Sequence, residues 1–199
     1  MQAIHTIEAT RMQETNDPIP TGEEDRWVLA AKENPARFAT LYERYYARIL
    51  GFVYQRVTTK DDAYDITQQV FLQAMLSLHK YELRGYPFSS WLYRIAINEL
   101  NNQFRKGQKQ RGINMEERHL KSISAAISED YNESRENALM QALTTLEEED
   151  LQLIEMRFFE ERPFKEIAEI LNITEAKAKM KVYRILAGIK PEVERNMVK

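Results

Sequence analysis

Arg94, Asn98, Asn101 and Arg105 recur at four-, three- and four-residue steps, so on a helix they line one face. Guanidinium and amide groups in a row suit a ligand with phosphates and acceptor edges. The opposite face of the stretch Phe88–Lys106 carries Phe88, Trp91, Leu92, Ile95, Ala96 and Leu100, an apolar stripe that must meet a core with Trp91 packed underneath. Glu99 is the only acid near the polar face, and Gly107 supplies a stop. Alone, such a face is also what an ordinary solvated helix presents. The rest of the chain decides between the two.

A second donor-rich pattern lies near the C-terminus. Pro163–Leu171 reads as a two-turn helix, Asn172-Ile173-Thr174 as a turn, and Thr174 as the cap of a helix from Glu175 to about Lys190. Gly188 and Pro191 mark its expected fraying end. Ala168 is small where the helices cross, and Asn172 tolerates the left-handed backbone a sharp turn needs. Ala178, Val182 and Ile185 pack inward, leaving Lys177, Lys179, Lys181 and Arg184 outside. This is the helix-turn-helix pattern, whose second helix lies in a major groove with its first turn on base edges and its cations on phosphates. A plain helical hairpin would explain the helices but not the coincidence of small residue, turn, cap and cations.

Catalytic chemistry finds no such support. The chain has no Cys, which removes thiolate catalysis, disulfides and Cys-based zinc sites. His5, His79 and His119 are scattered without ligand spacing, and no Gly-rich phosphate loop exists. Asp61-Asp62 is better read as the acidic start of a helix than as a catalytic pair, and the acids after Glu147 likewise. No enzyme activity, cofactor or metal is expected.

The elements that must position these residues are helical. Over 199 residues Gly and Pro are sparse, at six each, which favours an all-α fold over a turn-rich β fold. No apolar signal core and no membrane-length apolar run occurs, so a cytoplasmic protein without membrane insertion is expected. A formal net charge of −3 hides strong local fields. Arg105, Lys106, Lys109, Arg111, Arg118 and Lys121 face only Glu116 and Glu117, whereas acids dominate from Glu129 to Asp150.

Two small helical domains joined by a flexible linker follow from the periodicity. Residues 1–22, with Pro18 and Pro20, read as a flexible tail. A four-helix domain over 23–107 begins with a helix from Glu23 to about Glu33. Asn34-Pro35 opens the next, built on Phe38, Leu41, Tyr42, Tyr45, Ile49, Phe52 and Val53. The third helix turns Ala63, Ile66, Val70, Ala74 and Leu78 inward. Asp65, Gln68, Gln69 and Leu72 lie away from that stripe, with Phe71 at its border, a mixture suited to docking on another helix. Tyr81–Pro87, containing Gly85, is a loop of the kind that carries recognition on a rigid scaffold. Residues 108–133 read as the linker, with room for a short helix over Ile123–Ile127. The second domain, 134–199, starts with a helix on Leu139, Ala142, Leu143 and Leu146. Thr145-x-x-Glu148 is a capping box for the next helix, with Leu151, Ile154 and Phe158 inward.

With these motifs in place the sequence resembles an extracytoplasmic-function sigma factor, the small two-domain initiation subunit of bacterial RNA polymerase. Its most specific parts are Asp65-Ile-Thr-Gln-Gln-Val-Phe71, Phe88-Ser-Ser-Trp-Leu-Tyr-Arg-Ile-Ala-Ile-Asn98, and Arg157-Phe-Phe followed by Phe164-Lys-Glu-Ile-Ala-Glu-Ile-Leu171, in this order. The resemblance implies that Asp65, Gln68, Gln69 and Leu72 dock on the clamp of the polymerase's largest subunit. It implies that the loop Glu82–Pro87, through Arg84 and Tyr86, captures a flipped base of the minus-ten element, and that Arg94, Asn98, Asn101 and Arg105 hold the opening strand. Thr174, Glu175, Lys177, Lys179, Lys181 and Arg184 would read the minus-thirty-five element. Core polymerase (clamp and flap), promoter DNA and an anti-sigma factor are the implied partners. Unstacking a base costs a few kcal/mol, and stacking planes return roughly 1–3 kcal/mol each. Arg84, Tyr86 and Tyr93 are the candidate planes, although packing would equally account for Tyr93.

The sequence departs from the family in a tail before Glu23 longer than the minimal domain needs and at three places within the domains. Gln69 stands where Glu is usual, Pro163 behind Arg162 replaces a Ser, and Glu175-Ala-Lys-Ala-Lys-Met-Lys181 replaces small and hydroxyl residues. The main rival is a two-domain helix-turn-helix regulator that does not bind core polymerase. Such a regulator has no reason to carry the Asp65–Phe71 face or the Trp91 helix.

Overall fold

The computed structural model describes residues 22–107, 112, 117–127 and 133–197, all within or between helices. The chain divides into two compact units at Gly112 and Ile113. The tail expected over 1–22 lies outside the described residues except for Gly22, as do Lys109, Arg111 and the stretch 128–132.

Among the described residues the first unit holds four α-helices: α1 (Glu23–Glu33), α2 (Phe38–Tyr54), α3 (Lys60–Ser77) and α4 (Phe88–Arg105). Gly22 starts α1 in a left-handed conformation, φ 82°, and three acids follow in the first turn, where the helix dipole favours them. Asn34 accepts from the Ala36 N–H at 3.0 Å over a short 3₁₀ turn, Pro35–Arg37, that leads into α2. The cap of α3 is Thr59, whose Oγ1 accepts from the Asp62 N–H at 3.1 Å; Asp61 and Asp62 fill the first turn rather than cap it. Leu41, Ile49, Phe52, Ile66, Val70, Phe88, Leu92 and Leu100 form the core, each worth about 1.5–3 kcal/mol by burial.

The aromatic beneath α4 differs from the sequence expectation. Tyr93 is fully buried, edge-on to Phe52 at 4.7 Å between centroids, whereas Trp91 is half-buried between Tyr81 and Phe88. Tyr93 is therefore a packing residue, not a platform for a base. Phe71 likewise belongs to the interior, ringed by Phe38, Tyr42 and Tyr46.

The second unit contains α5 (Glu117–Ala126), α6 (Glu133–Thr144), α7 (Glu148–Ile154), α8 (Phe164–Leu171) and α9 (Glu175–Met197). Within the segment expected as linker, α5 is longer than foreseen, because Leu120, Ile123 and Ile127 recur at helical spacing and are buried. His119 of α5 stacks on Phe159 at 4.3 Å.

Three local readings of this unit change. The Thr145 hydroxyl donates back to the Ala142 carbonyl at 2.8 Å, so no capping box forms, and Glu147 takes the cap position without a side-chain bond. A π-type turn over Glu155–Phe159 follows α7, with the Glu160 N–H on the Glu155 carbonyl at 3.0 Å. Its extra residue moves the inward position from Phe158 to Phe159. Finally, α9 runs through Pro191 to Met197 instead of fraying near Lys190. Ile189 and Val193 are buried on either side of the proline, and their packing offsets the ~3 kcal/mol a mid-helix proline costs.

Candidate nucleic-acid and polymerase interfaces

On α3 the buried residues Ala63, Ile66, Thr67, Val70, Phe71 and Ala74 anchor the helix and fix which side remains outside. Asp65, Gln68, Gln69 and Leu72 are all exposed on that outer side. The structure adds Met75 and Leu76, which continue the same face at 41% and 59% exposure beside Leu72 at 43%. An apolar strip this open, bordered by amides and a carboxylate, fits a helix-docking surface. Its sequence signal was two apolar residues falling off the inward stripe.

Between α3 and α4 the chain forms the loop Tyr81–Pro87. Tyr81 is buried, Glu82 to Gly85 are exposed, and Tyr86 and Pro87 are half-buried. Gly85 takes φ 72°, a conformation that resists a side chain. Glu82 holds the Arg84 guanidinium through Nε and Nη2 at 3.1 and 2.8 Å, with both side chains largely in solvent. The pair is thus open to exchange for a ligand.

On α4 Asn98, Asn101 and Arg105 are exposed along one line and Arg94 is half-buried at its start. Arg105 Nη2 donates to Asn102 Oδ1 at 3.0 Å. Glu99, an acid of the same helix, accepts from Gln103 Nε2 at 2.9 Å. The face is donor-rich, as its spacing predicts.

In the second unit Asn172 ends α8 at φ 53°, and the Ile173 N–H returns to the Ala168 carbonyl at 3.0 Å. Thr174 Oγ1 accepts from the Lys177 N–H at 3.2 Å, capping α9. Ala178, Val182 and Ile185 are buried as expected. Thr174, Glu175, Lys177, Lys179 and Arg184 are exposed. Lys181 is not: it is half-buried, with Nζ 3.4 Å from Glu149 Oε2. The sequence reading also passed over Met180 and Tyr183, which stand out from α9 at 69% and 57% exposure. Arg157 orients the motif, lying over the Phe164 ring at 4.9 Å while Nη1 donates to the Arg162 carbonyl at 3.0 Å.

Two family models match the chain, one in each unit. Residues 41–110 match the family model for sigma-70 region 2, and residues 136–187 match that for sigma-70 region 4. The RNA polymerase sigma factor SigV of Bacillus subtilis is 30% identical over 137 residues, 69% of this chain and 78% of SigV. The ECF RNA polymerase sigma factor BldN of Streptomyces coelicolor is 25% identical over 179 residues. The chain belongs to the ECF sigma factors. It spans 64% of the length of BldN, while 89% of the chain is covered. The solved structure of CnrH in complex with the cytosolic domain of CnrY is similar in fold, with a TM-score of 0.59 at 16% identity. That likeness covers 86% of this ECF sigma factor and 97% of CnrH. Both sigma regions together disfavour a regulator that does without polymerase. Among the described residues no helix is long and apolar enough to cross a membrane, and no cluster of three metal-ligating side chains occurs.

Proposed function

We propose that this ECF sigma factor docks on core RNA polymerase through the α3 face and divides promoter recognition between its two units. Asp65, Gln68, Gln69 and Leu72, extended by Met75 and Leu76, meet the clamp of the largest subunit. Arg84 and Tyr86 receive an unpaired minus-ten base. Arg94, Asn98, Asn101 and Arg105 hold the opened strand. The first turns of α9, with Thr174, Glu175, Lys177, Lys179 and Arg184, read the minus-thirty-five element; Lys181 contributes less, being tied to Glu149. A further contact with the flap belongs to the same reading. The polymerase supplies the chemistry, and the chain acts beside it in the cytoplasm. CnrH was solved with the cytosolic domain of CnrY, which supports an anti-sigma partner for this chain also.

The observation that carries this reading is the open strip Leu72, Met75 and Leu76 next to Asp65 and Gln68, inside the segment matched to region 2. A near-neutral chain makes few phosphate contacts alone, so polymerase must hold both units on one promoter and raise their effective concentration. The test is co-purification and run-off transcription with core polymerase, comparing the wild-type chain with an Asp65→Ala, Gln68→Ala variant. The variant should keep its helical circular dichroism yet lose holoenzyme and transcript. A folded variant that still co-purifies fully with core overturns the assignment of this face.

A further inference from the structure

Helix α1 lies ahead of the segment matched to region 2, and it makes two long-range bonds to backbone atoms. Lys32 Nζ donates to the Tyr81 carbonyl at 2.5 Å. Glu24 Oε2 accepts from the Phe88 N–H at 2.9 Å. Tyr81 and Phe88 are the residues that bracket the loop Glu82–Pro87. One helix thus grips both ends of that loop, through side chains eight residues apart, about 12 Å along its axis.

The Glu24 bond answers a local need. Phe88 is the first residue of α4, so its N–H has no partner within the helix and lies at the positive end of the dipole. Glu24 supplies the missing carboxylate from a remote helix. Its other oxygen accepts the Tyr45 hydroxyl of α2. Burial and the neighbouring Glu24 charge push the Tyr45 phenol well above its ordinary range, so it stays a donor. The loop ends are packed as well as bonded: Tyr81 and Phe88 lie edge-on at 5.2 Å, with Trp91 against both and Tyr45 at 5.8 Å from Phe88. Between these fixed ends Glu82, Leu83, Arg84 and Gly85 are exposed.

We infer that Glu24 and Lys32 are positioning residues that set the shape of the loop Glu82–Pro87 and thereby its choice of minus-ten base. The inference rests on the proposed reading that this loop receives the base. Ends held in place lower the ordering cost of binding and restrict which base fits, so α1 acts on selectivity without touching DNA.

Wild-type holoenzyme first selects a promoter from a genomic fragment pool by run-off transcription, and each base of its minus-ten element is then varied singly. Glu24→Gln and Lys32→Met are compared with wild type, with Lys32→Arg as the rescuing variant. Both changes should lower discrimination at the loop-read base by about tenfold, the worth of one charged hydrogen bond. Affinity for core and dependence on the minus-thirty-five element should stay as in wild type, and Lys32→Arg should restore most of the discrimination. Unchanged discrimination in both variants overturns the inference. Arg84→Ala and Tyr86→Ala run in parallel separate the two ideas. If these flatten base choice while the α1 variants do not, only the positioning role fails; if neither set does, the loop reading fails. Hydrogen exchange of the wild-type chain needs no substitution: the Phe88 amide should be protected like the interior of α4, and exchange as fast as at Arg84 counts against the bond.

Discussion

Arg162 Nη1 lies 2.6 Å from Glu166 Oε2, a pair one turn apart whose guanidinium is almost fully buried at the start of α8. It stands where the cap position, Pro163, has no side-chain acceptor to offer. The pair ties the first turn of α8 to the chain before it, and Arg157 holds the Arg162 carbonyl from the other side. No side chain caps α8, and the ion pair fixes the entry to its first turn without taking up the free N–H groups there.

Removing Glu166 takes a close carboxylate away from a buried guanidinium. Glu166→Ala is expected to destabilise the second unit by about 3 kcal/mol, and Glu166→Gln by less. Trp27 and Trp91 both lie in the first unit, so tryptophan emission is blind to this loss. Hydrogen exchange at the Ile167 and Ile170 amides is the measurement that reads it.

The exposed strip on α3 separates folding from docking. Leu76 is 59% exposed, so Leu76→Lys should change stability by no more than about 0.5 kcal/mol. Binding to core polymerase should weaken at least about tenfold, because a charge would be desolvated in an apolar contact. A titration of labelled chain with core, beside a thermal melt of each variant, checks both halves.

Local signals were the legible ones. Asn172, Thr174 and the spacing Ala178, Val182, Ile185 announce the helix-turn-helix within fourteen residues, and the structure repeats them. The stripe Ala63, Ile66, Val70, Ala74 was equally plain, since one period runs unbroken along α3. What failed depended on atoms far away or on a break in period. Phe158 was placed inward because a regular helix repeats after four residues, and the π-type turn adds one. A proline ends most helices, but the buried Ile189 and Val193 carry α9 past Pro191. The bonds of Glu24 and Lys32 reach main-chain groups 64 and 49 positions away, and main-chain partners leave no trace in residue type.

Gly112 shows the same limit in another form. A Cβ built there would sit 2.4 Å from the Val57 carbonyl oxygen, and the Gly112 N–H donates to the Arg56 carbonyl at 3.0 Å. Backbone cannot yield as a side-chain tip can. Gly112→Ala should lower the stability of the first unit by about 1–3 kcal/mol through that overlap. Here Trp91 emission is a suitable probe of urea unfolding, and a midpoint equal to wild type would contradict the close approach.

The cations of α9 make a prediction that distinguishes them from one another. Each phosphate neutralised by a lysine or arginine releases condensed counterions, so it steepens the fall of affinity with salt. Lys177 and Arg184 are exposed, and replacing either by Ala should reduce the slope of log affinity against log salt by about one. Lys181 already faces Glu149 at 3.4 Å, and a cation partly neutralised at home has less charge to exchange. Lys181→Ala should therefore leave the slope closer to wild type than either of the other changes. The measurement is holoenzyme binding to the selected promoter across a salt series. Equal losses for Lys177, Lys181 and Arg184 would mean that Lys181 leaves Glu149 for the DNA.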